Sequence, residues 1–291
     1  MGCGSFSTSD YKDYSVSKGK HYDEDSGRVS GQHFEATKID SSLDPKLFKI
    51  RECANNAEHP NTIPVILALD VTGSMGGACK ETADALGVIV GNLYNKIKDV
   101  EFCIMGIGDL AYDRAPVQMS QFESDVRIAE SLDKLYIEHG GGGNQYESYT
   151  AAWYMGLKRT KLDCYDKQHR KGIIITMGDE TLNPYLPVDK LNYHVKASEQ
   201  GDVETRSLYD MAKEKFDIFH IAVDDRETDY NYHKTGIENT FGRLLGNRLK
   251  VATLQTLAKT IEECIAESVG SEGFVQEQVA QGSEKTNEIS W

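Results

Sequence analysis

The chain has 291 residues, 39% of them hydrophobic, which is enough for a sizeable core in one large domain or two small ones. A formal net charge of −14 argues against nucleic-acid binding, because proteins that contact phosphate backbones usually carry a basic patch. No apolar run approaches the roughly 20 residues that cross a bilayer, and the N-terminal stretch lacks the hydrophobic segment of a secretion signal. The six cysteines are scattered and have no zinc-ligand spacing. We therefore expect a folded cytoplasmic protein that binds neither nucleic acid nor membranes.

The first part of the chain, residues 1–60, is predicted to be an irregular N-terminal arm. It is rich in Ser, Asp, Lys, Tyr and Gly and shows no sustained periodicity. Its tyrosines leave two interpretations open. The arm either docks on the domain or on a partner, or it is a flexible tail. We expect a folded domain over residues 61–269 and a polar C-terminal tail over residues 270–291.

The domain is predicted to begin with the strand "IPVILALD", a continuous apolar run typical of a strand covered on both faces. A helix follows, and its apolar face carries Cys79, Ala83, Leu86, Val90, Leu93 and Ile97. A second buried strand is predicted over Val100–Asp109, and a shorter, more exposed strand after Pro116. A helix over about 125–137 then points Ile128, Leu132 and Leu135 inward.

The second half repeats this alternation. A helix is predicted over 146–158, a strand over 172–180 and a long loop with a short helical piece over 181–202. A helix marked by Leu208 precedes a strand from Asp217, and a last helix carries four apolar residues, Leu254, Leu257, Ile261 and Ile265. Alternating helices and apolar strands predict an α/β fold, with a doubly wound, mostly parallel central sheet and helices on both faces.

Three loops carry clustered oxygen-bearing side chains, and in such sheets ligands bind beyond the carboxyl ends of the strands. The three groups are Asp70, Thr72 and Ser74; Asn144, Glu147 and Ser148; and Asp179 and Glu180. Ligand sets made only of oxygen select hard cations, so the sequence predicts a site for Mg²⁺ or another divalent cation such as Mn²⁺ or Ca²⁺. Zinc is disfavoured, because His139 is the one histidine or cysteine near these loops.

The motif "DVTGS" resembles the start of the metal-ion-dependent adhesion site of von Willebrand factor type A (VWA) domains, which reads Asp-x-Ser/Thr-x-Ser. Asp70, Thr72 and Ser74 match it fully, and the order of elements over about 62–268 is similar to that of bacterial or phage intracellular members. Asp179 matches the family's aspartate after the fourth strand, although Thr-Asp-Gly is the more frequent sequence there. Glu147 stands where the family has a threonine, as in bacterial variants, and would make the site more negative. The resemblance therefore implies five metal ligands, Asp70, Thr72, Ser74, Glu147 and Asp179.

The resemblance implies a metal-dependent protein-binding module without catalytic residues. The open position of the cation would accept a carboxylate or similar oxygen from a partner protein in an intracellular complex. Adaptors for MoxR-type AAA+ ATPases are among the cytoplasmic relatives, so such an ATPase is a candidate partner.

Other interpretations of the same residues stay open. Ser or Thr in "DVTGS" also fits a helix N-cap. Asp109 and Asp113 follow a strand and fit either an outer shell of the metal site or an ordinary loop. His220 fits a hydrogen-bonded core histidine. Alternative functions are a Mg²⁺-dependent phosphatase-like enzyme, disfavoured because Thr72 replaces the second aspartate of Asp-x-Asp, and a structural component of a bacterial or phage assembly that binds through its arm and tail.

Overall fold

A six-stranded sheet forms the centre of the computed structural model, which describes residues 4–97, 99–138 and 146–270. The strands are β4 (Ile63–Asp70), β5 (Val100–Ile107), β6 (Val117–Met119), β9 (Gly172–Gly178), β13 (Phe216–Val223) and β14 (Leu249–Ala252). They lie in the order β14-β13-β9-β4-β5-β6, and every pairing is parallel except that of β5 with β6. The protein is therefore a mixed α/β structure with a mostly parallel central sheet, as the apolar runs predict.

The chain builds this sheet outward from β4 in two directions. It first adds β5 and β6 on one side, and then β9, β13 and β14 on the other. The loops that follow β4 and β9 therefore leave the same edge of the sheet from adjacent strands. Loops that diverge in this way open a crevice in which a ligand can bind.

Two hydrophobic cores lie against the sheet. Val65 and Leu67 of β4 pack in the first core, whereas Ile66 and Ala68 pack in the second, as alternation along a strand requires. The first core includes residues of α2 (Gly76–Tyr94), α3 (Arg127–Asp133) and α10 (Leu254–Val269). The second includes residues of α4 (Thr150–Arg159), α6 (Val188–Val195), α7 (Thr205–Lys215) and α8 (Tyr230–Ile237).

Short elements complete the fold. The paired strands are β1 (His21–Tyr22) with β2 (Val29–Ser30), β3 (Arg51–Cys53) with β8 (Thr160–Leu162), β7 (Tyr146–Glu147) with β10 (Thr181–Leu182), and β11 (Tyr185–Leu186) with β12 (Val203–Glu204). The remaining helices are α1 (Thr8–Ser17), α5 (Asp163–Asp166) and α9 (Arg243–Leu245). Parallel pairing of β7 with β10 brings the segment before α4 beside the loop after β9.

The N-terminal arm differs from the irregular segment that the sequence predicts. Its described part contains α1 and the ribbon of β1 and β2, and the side chain of Tyr11 is buried against α2. The Tyr11 hydroxyl donates to the carbonyl of Ala83 at 3.3 Å, and the Tyr11 ring covers Gly87. Periodicity does not reveal this helix, because it is held by an N-cap at Ser7 and by tertiary contact rather than by a continuous apolar stripe.

One further expectation about the sheet is wrong, and one of its strands was not predicted. Strand β6 is buried rather than exposed, because the N-terminal segment covers that edge of the sheet. The amide of Met119 donates to the carbonyl of Leu43 at 2.9 Å, and Arg51 donates to the carbonyl of Met119 at 2.9 Å. Strand β14 has no counterpart in the prediction, because four residues with one lysine among them give too short a pattern to assign.

Within the described ranges, no helix has the length and apolar character needed to cross a bilayer. The five cysteines that lie in those ranges are buried free thiols.

Candidate metal centre

Asp70 ends β4, and hydrogen bonds hold both oxygens of its buried carboxylate. Oδ1 accepts from the amide of Thr72 at 2.9 Å and from the Thr72 hydroxyl at 2.5 Å. Oδ2 accepts from the hydroxyl of Tyr149 at 2.7 Å. The chain turns here into a short 3-10 helix, Gly73–Met75, and the bonds from Thr72 hold that residue beside Asp70.

Asp179 follows β9 on the neighbouring strand and is also buried. Its Oδ2 accepts from the amide of Asp229 at 2.7 Å, whereas its Oδ1 has no hydrogen-bond partner. Burial raises the pKa of this carboxyl group, against the opposing effects of the Asp229 amide and the Ser74 hydroxyl. The Ser74 hydroxyl therefore lies near enough to Asp179 to favour its ionised form.

Glu147 lies in β7 and turns a buried carboxylate toward the same region. Its Oε2 has no hydrogen-bond partner. Burial raises the pKa of Glu147 strongly, and the charges of Asp70 and then Glu180 raise it further. The predicted ligand Glu147 thus lies within electrostatic reach of Asp70.

Glu180 is a further acidic residue of this region that the sequence places in the third loop but not among the five ligands. Its Oε2 is buried without a hydrogen-bond partner. Burial first, and then the charges of Asp70 and Asp179, raise the pKa of Glu180 to about 8. The region thus gathers carboxylates whose ionised forms repel one another.

Tyr149 connects these groups, and its role is not foreseen in the sequence analysis. It is buried at the start of α4, donates to Asp70 and accepts from the amide of Glu180 at 3.3 Å. The ring fits only because position 178 is glycine, since a Cβ there would lie 2.0 Å from the Tyr149 hydroxyl oxygen. The glycine before Asp179 was the one available sequence signal for a close approach at this point.

The predicted ligands do not form a complete cage of charged side chains. Within the part of the chain that the structure describes, no three His, Cys, Asp or Glu side chains are grouped closely enough to hold a metal ion. The predicted set differs from such a cage, because Thr72 and Ser74 contribute hydroxyls and Mg²⁺ characteristically keeps several waters. Asn144 and His139 lie outside the described residues.

The oxygens at the site fit a hard divalent cation in two respects. Three buried carboxylate oxygens, on Glu147, Asp179 and Glu180, have no hydrogen-bond partner. An unpartnered buried oxygen is costly, and a cation or its bound water would supply the missing interaction. The donor atoms are oxygens, which suit Mg²⁺, Mn²⁺ or Ca²⁺.

Asp109 and Asp113, the two acidic residues after β5, form hydrogen bonds within their own loop. The Asp109 amide donates to Oδ2 of Asp113 at 2.7 Å, and Oδ1 of Asp109 accepts from the amide of Ala111 at 2.7 Å. These bonds match the ordinary-loop interpretation, although both charges also act on Glu147.

His220 is a core residue, as the sequence indicates. Its Nδ1 lies 2.9 Å from the Thr176 hydroxyl, and its ring stacks on Phe241 at 3.6 Å between centroids. Burial lowers the pKa of His220 to about 3, so the imidazole is neutral at physiological pH.

No family model matches this sequence, and no curated protein gives a significant match. Among solved structures, two crystal structures of the pilus adhesin SpaC from Lactobacillus rhamnosus GG are similar to the chain. One, in an open conformation, has a TM-score of 0.49 and the other 0.50, each at 11% identity over 74% of this chain and 31% of the adhesin. Proximal thread matrix protein 1 from the mussel byssus gives a TM-score of 0.45 at 12% identity, over 70% of this chain and 47% of that protein.

The chain thus spans about a third of the adhesin's length and less than half of the matrix protein's. At such identities the alignment with a TM-score of 0.50 bears on the fold alone, and it agrees with the α/β architecture described above.

Proposed function

We propose that the chain is a metal-dependent protein-binding module of the VWA kind, built on a doubly wound sheet. The growth of the sheet from β4 in two directions supports this arrangement, since the candidate ligands follow β4 and β9 at the point where the direction of growth changes. The two cores on alternate sides of β4 agree with it.

One observation carries the proposal. Asp70 is fixed by three hydrogen bonds beside three buried carboxylate oxygens that have none. Such a collection of like charges lowers stability unless protons or a cation neutralise it. A divalent cation, Mg²⁺ or alternatively Mn²⁺ or Ca²⁺, would relieve both the repulsion and the missing interactions.

The residues that would hold the cation are Asp70, Thr72, Ser74, Glu147 and Asp179, directly or through water. The bound ion would supply a positive charge with an open coordination position. A partner protein would fill that position with a carboxylate or a similar oxygen. We place the interaction in an intracellular complex, and an AAA+ ATPase of the MoxR type is the partner that the resemblance implies.

The first test measures metal binding without any partner. In a thermal unfolding series with Mg²⁺, Mn²⁺ or Ca²⁺ against chelator, we expect the wild type to be stabilised. At a cation concentration 100 times the dissociation constant the gain is about 2.7 kcal/mol. Glu147→Gln is expected to raise stability in chelator, because it removes repulsion, and to lose most of the gain from the cation.

Asp210→Asn is the matched control, because Asp210 is an exposed carboxylate on α7 that pairs with Arg206 and Lys213. This variant is expected to keep the full response to the cation. The proposal fails if none of the three cations stabilises the wild type, or if Glu147→Gln responds as the wild type does.

The second test concerns the partner. Capture from native cell extract is compared for the wild type with Mg²⁺, the wild type with chelator, and Asp70→Ala with Mg²⁺. We expect one partner to be lost under both chelation and substitution. A partner retained under both would instead favour binding through the arm and tail.

A further inference from the structure

Unpaired lysines form a surface on this otherwise acidic chain. Residues 46–50 lie against α6 and the residue that follows it. The two segments together carry Lys46, Lys49, Lys190 and Lys196. We call these four residues, with the exposed Leu47 and Tyr193, the lysine patch. The chain as a whole has a net charge of −14, so this surface departs from the rest of the molecule.

A single guanidinium group joins the two segments of the lysine patch. Arg159, at the end of α4, donates to the carbonyls of Phe48 and Lys49 at 3.0 and 3.1 Å. The same group donates to the carbonyls of Val195 and Lys196. Because Arg159 reaches both segments from the folded core, Lys49 and Lys196 project from backbone positions that are held close together.

The remaining lysines are placed by different contacts. The ammonium group of Lys46 lies 4.2 Å from the centre of the Tyr193 ring, and Lys190 donates to the carbonyl of Ala111 at 3.2 Å. The pKa of His194 is lowered to about 4, mainly by burial and then by the charges of Lys46 and Lys190. Positive charge therefore accumulates at the Tyr193 end of α6.

Acidic side chains do not neutralise this charge. Within the described residues, none of the four lysines has a carboxylate within 4.0 Å of its ammonium group. Asp44 accepts from the amide of Lys46 instead, and Glu199 is engaged by Tyr154 and Lys158. No carboxylate of the described residues is therefore paired with any of the four positive charges, which can attract an acidic partner.

The lysine patch also has an apolar component. Leu47 is 65% exposed and Tyr193 is 67% exposed, and Ile50 is exposed at the end of the same segment as Leu47. Exposed apolar side chains beside positive charge match an amphipathic ligand, because binding would bury the apolar groups and pair the charges together.

We infer that the lysine patch docks an acidic peptide segment that carries apolar side chains, and that it does so without a metal ion. The charge complementarity selects carboxylates, and Leu47 with Tyr193 selects an apolar residue between them. Because the patch shares no residue with the candidate metal ligands, its failure and that of the metal-dependent function are separable.

The experiment uses fluorescence anisotropy with the full-length chain in chelator. The probe is a labelled 12-residue peptide in which Glu alternates with Leu and Phe, and its counterpart has Lys in place of Glu. We expect the acidic peptide to bind at least tenfold more tightly than the basic one, with an affinity that falls as salt is added.

Variants locate the binding surface. Lys49→Glu combined with Lys196→Glu is expected to weaken the acidic peptide at least tenfold, because two attractions become repulsions. Lys234→Glu combined with Lys259→Glu makes the same change in net charge on α8 and α10, and is expected to weaken binding less than threefold. Tyr193→Ser is expected to weaken binding about threefold without changing its salt dependence.

Four results would overturn the inference. The first three are equal weakening by the two double variants, equal affinity for the acidic and basic peptides, and binding that disappears in chelator. The inference would also be overturned if the chain bound phosphatidylserine vesicles through these lysines and did not bind the acidic peptide. The patch would then recognise a lipid surface.

Discussion

Replacing Tyr149 with phenylalanine isolates the contribution of one hydroxyl to the candidate metal centre. The hydroxyl donates to Oδ2 of Asp70 at 2.7 Å and accepts from the amide of Glu180 at 3.3 Å. Phenylalanine keeps the ring that fills the space above Gly178. The substitution therefore leaves the packing in place and removes one donor from a buried carboxylate.

The expected cost follows from the nature of the acceptor. A hydrogen bond to a charged group contributes roughly 1.5–3 kcal/mol, and leaving a buried oxygen unsatisfied adds to the loss. The Tyr149 hydroxyl also lowers the pKa of Asp70, which burial and Asp179 raise. At pH 8 we thus expect Tyr149→Phe to reduce the free energy of unfolding by about 2–3 kcal/mol, or roughly 4–12 °C in melting temperature.

Denaturant unfolding at pH 8, in chelator and in 10 mM Mg²⁺, measures both the stability and the response to the cation. Tyr154→Phe is the matched control, because its hydroxyl donates to Glu199 at 2.9 Å and that carboxylate is partly exposed. The control is expected to lose at most about 1 kcal/mol and to keep the full response to Mg²⁺. If Tyr149→Phe loses no more than Tyr154→Phe in chelator, the assigned role of the Tyr149 hydroxyl is wrong.

Two further predictions concern buried groups away from the centre. Burial raises the pKa of Glu101 from its ordinary 4.5 to about 7, so its stabilising contribution is complete below pH 4.5 and is lost as the pH rises through 7. Glu101→Gln is therefore expected to exceed the wild type by up to about 3 kcal/mol at pH 8 and to match it near pH 4.5, and a difference independent of pH in denaturant unfolding would contradict this. At Gly87 a Cβ would lie 2.3 Å from the Tyr11 ring, so Gly87→Ala is expected to release α1 to limited proteolysis. Gly91→Ala, in open space on α2, is expected to raise stability by about 0.5–1 kcal/mol and leave α1 protected, and equal protease sensitivity of the two variants would count against the docking of α1.

The central strands and two of the candidate acidic ligands were predictable because they depend on local sequence. "IPVILALD" and "GIIITMGD" are buried over almost their whole length, and in each an aspartate comes at the end of the apolar run. Parallel pairing of β4 with β9 then brings Asp70 and Asp179 to one edge of the sheet. Position at a strand end was therefore enough to predict that these two side chains are neighbours.

The remaining features depend on contacts between segments far apart in the sequence. Tyr149 reaches Asp70 across 79 positions, and its place is set by the missing side chain at Gly178. Tyr11 reaches Ala83 across 72 positions, and its place is set by Gly87. A glycine in an apolar run signals a close approach but does not identify the partner, so these two tyrosines were beyond sequence reasoning.

The candidate metal centre and the lysine patch carry opposite charge, and one loop lies beside both of them. Asp70, Glu147, Asp179 and Glu180, when ionised, carry four negative charges, which a divalent cation neutralises only in part. A carboxylate from a partner would then approach a region that is still negative, and its attraction to the open coordination position would be offset by repulsion. Lys190 contacts the carbonyl of Ala111, in the loop that also carries Asp109, so the positive surface borders the acidic one. Attraction to the lysines would offset the repulsion that an acidic partner meets beside Glu147. Added salt would screen that attraction, so the association rate would fall even where the affinity for the cation is unchanged.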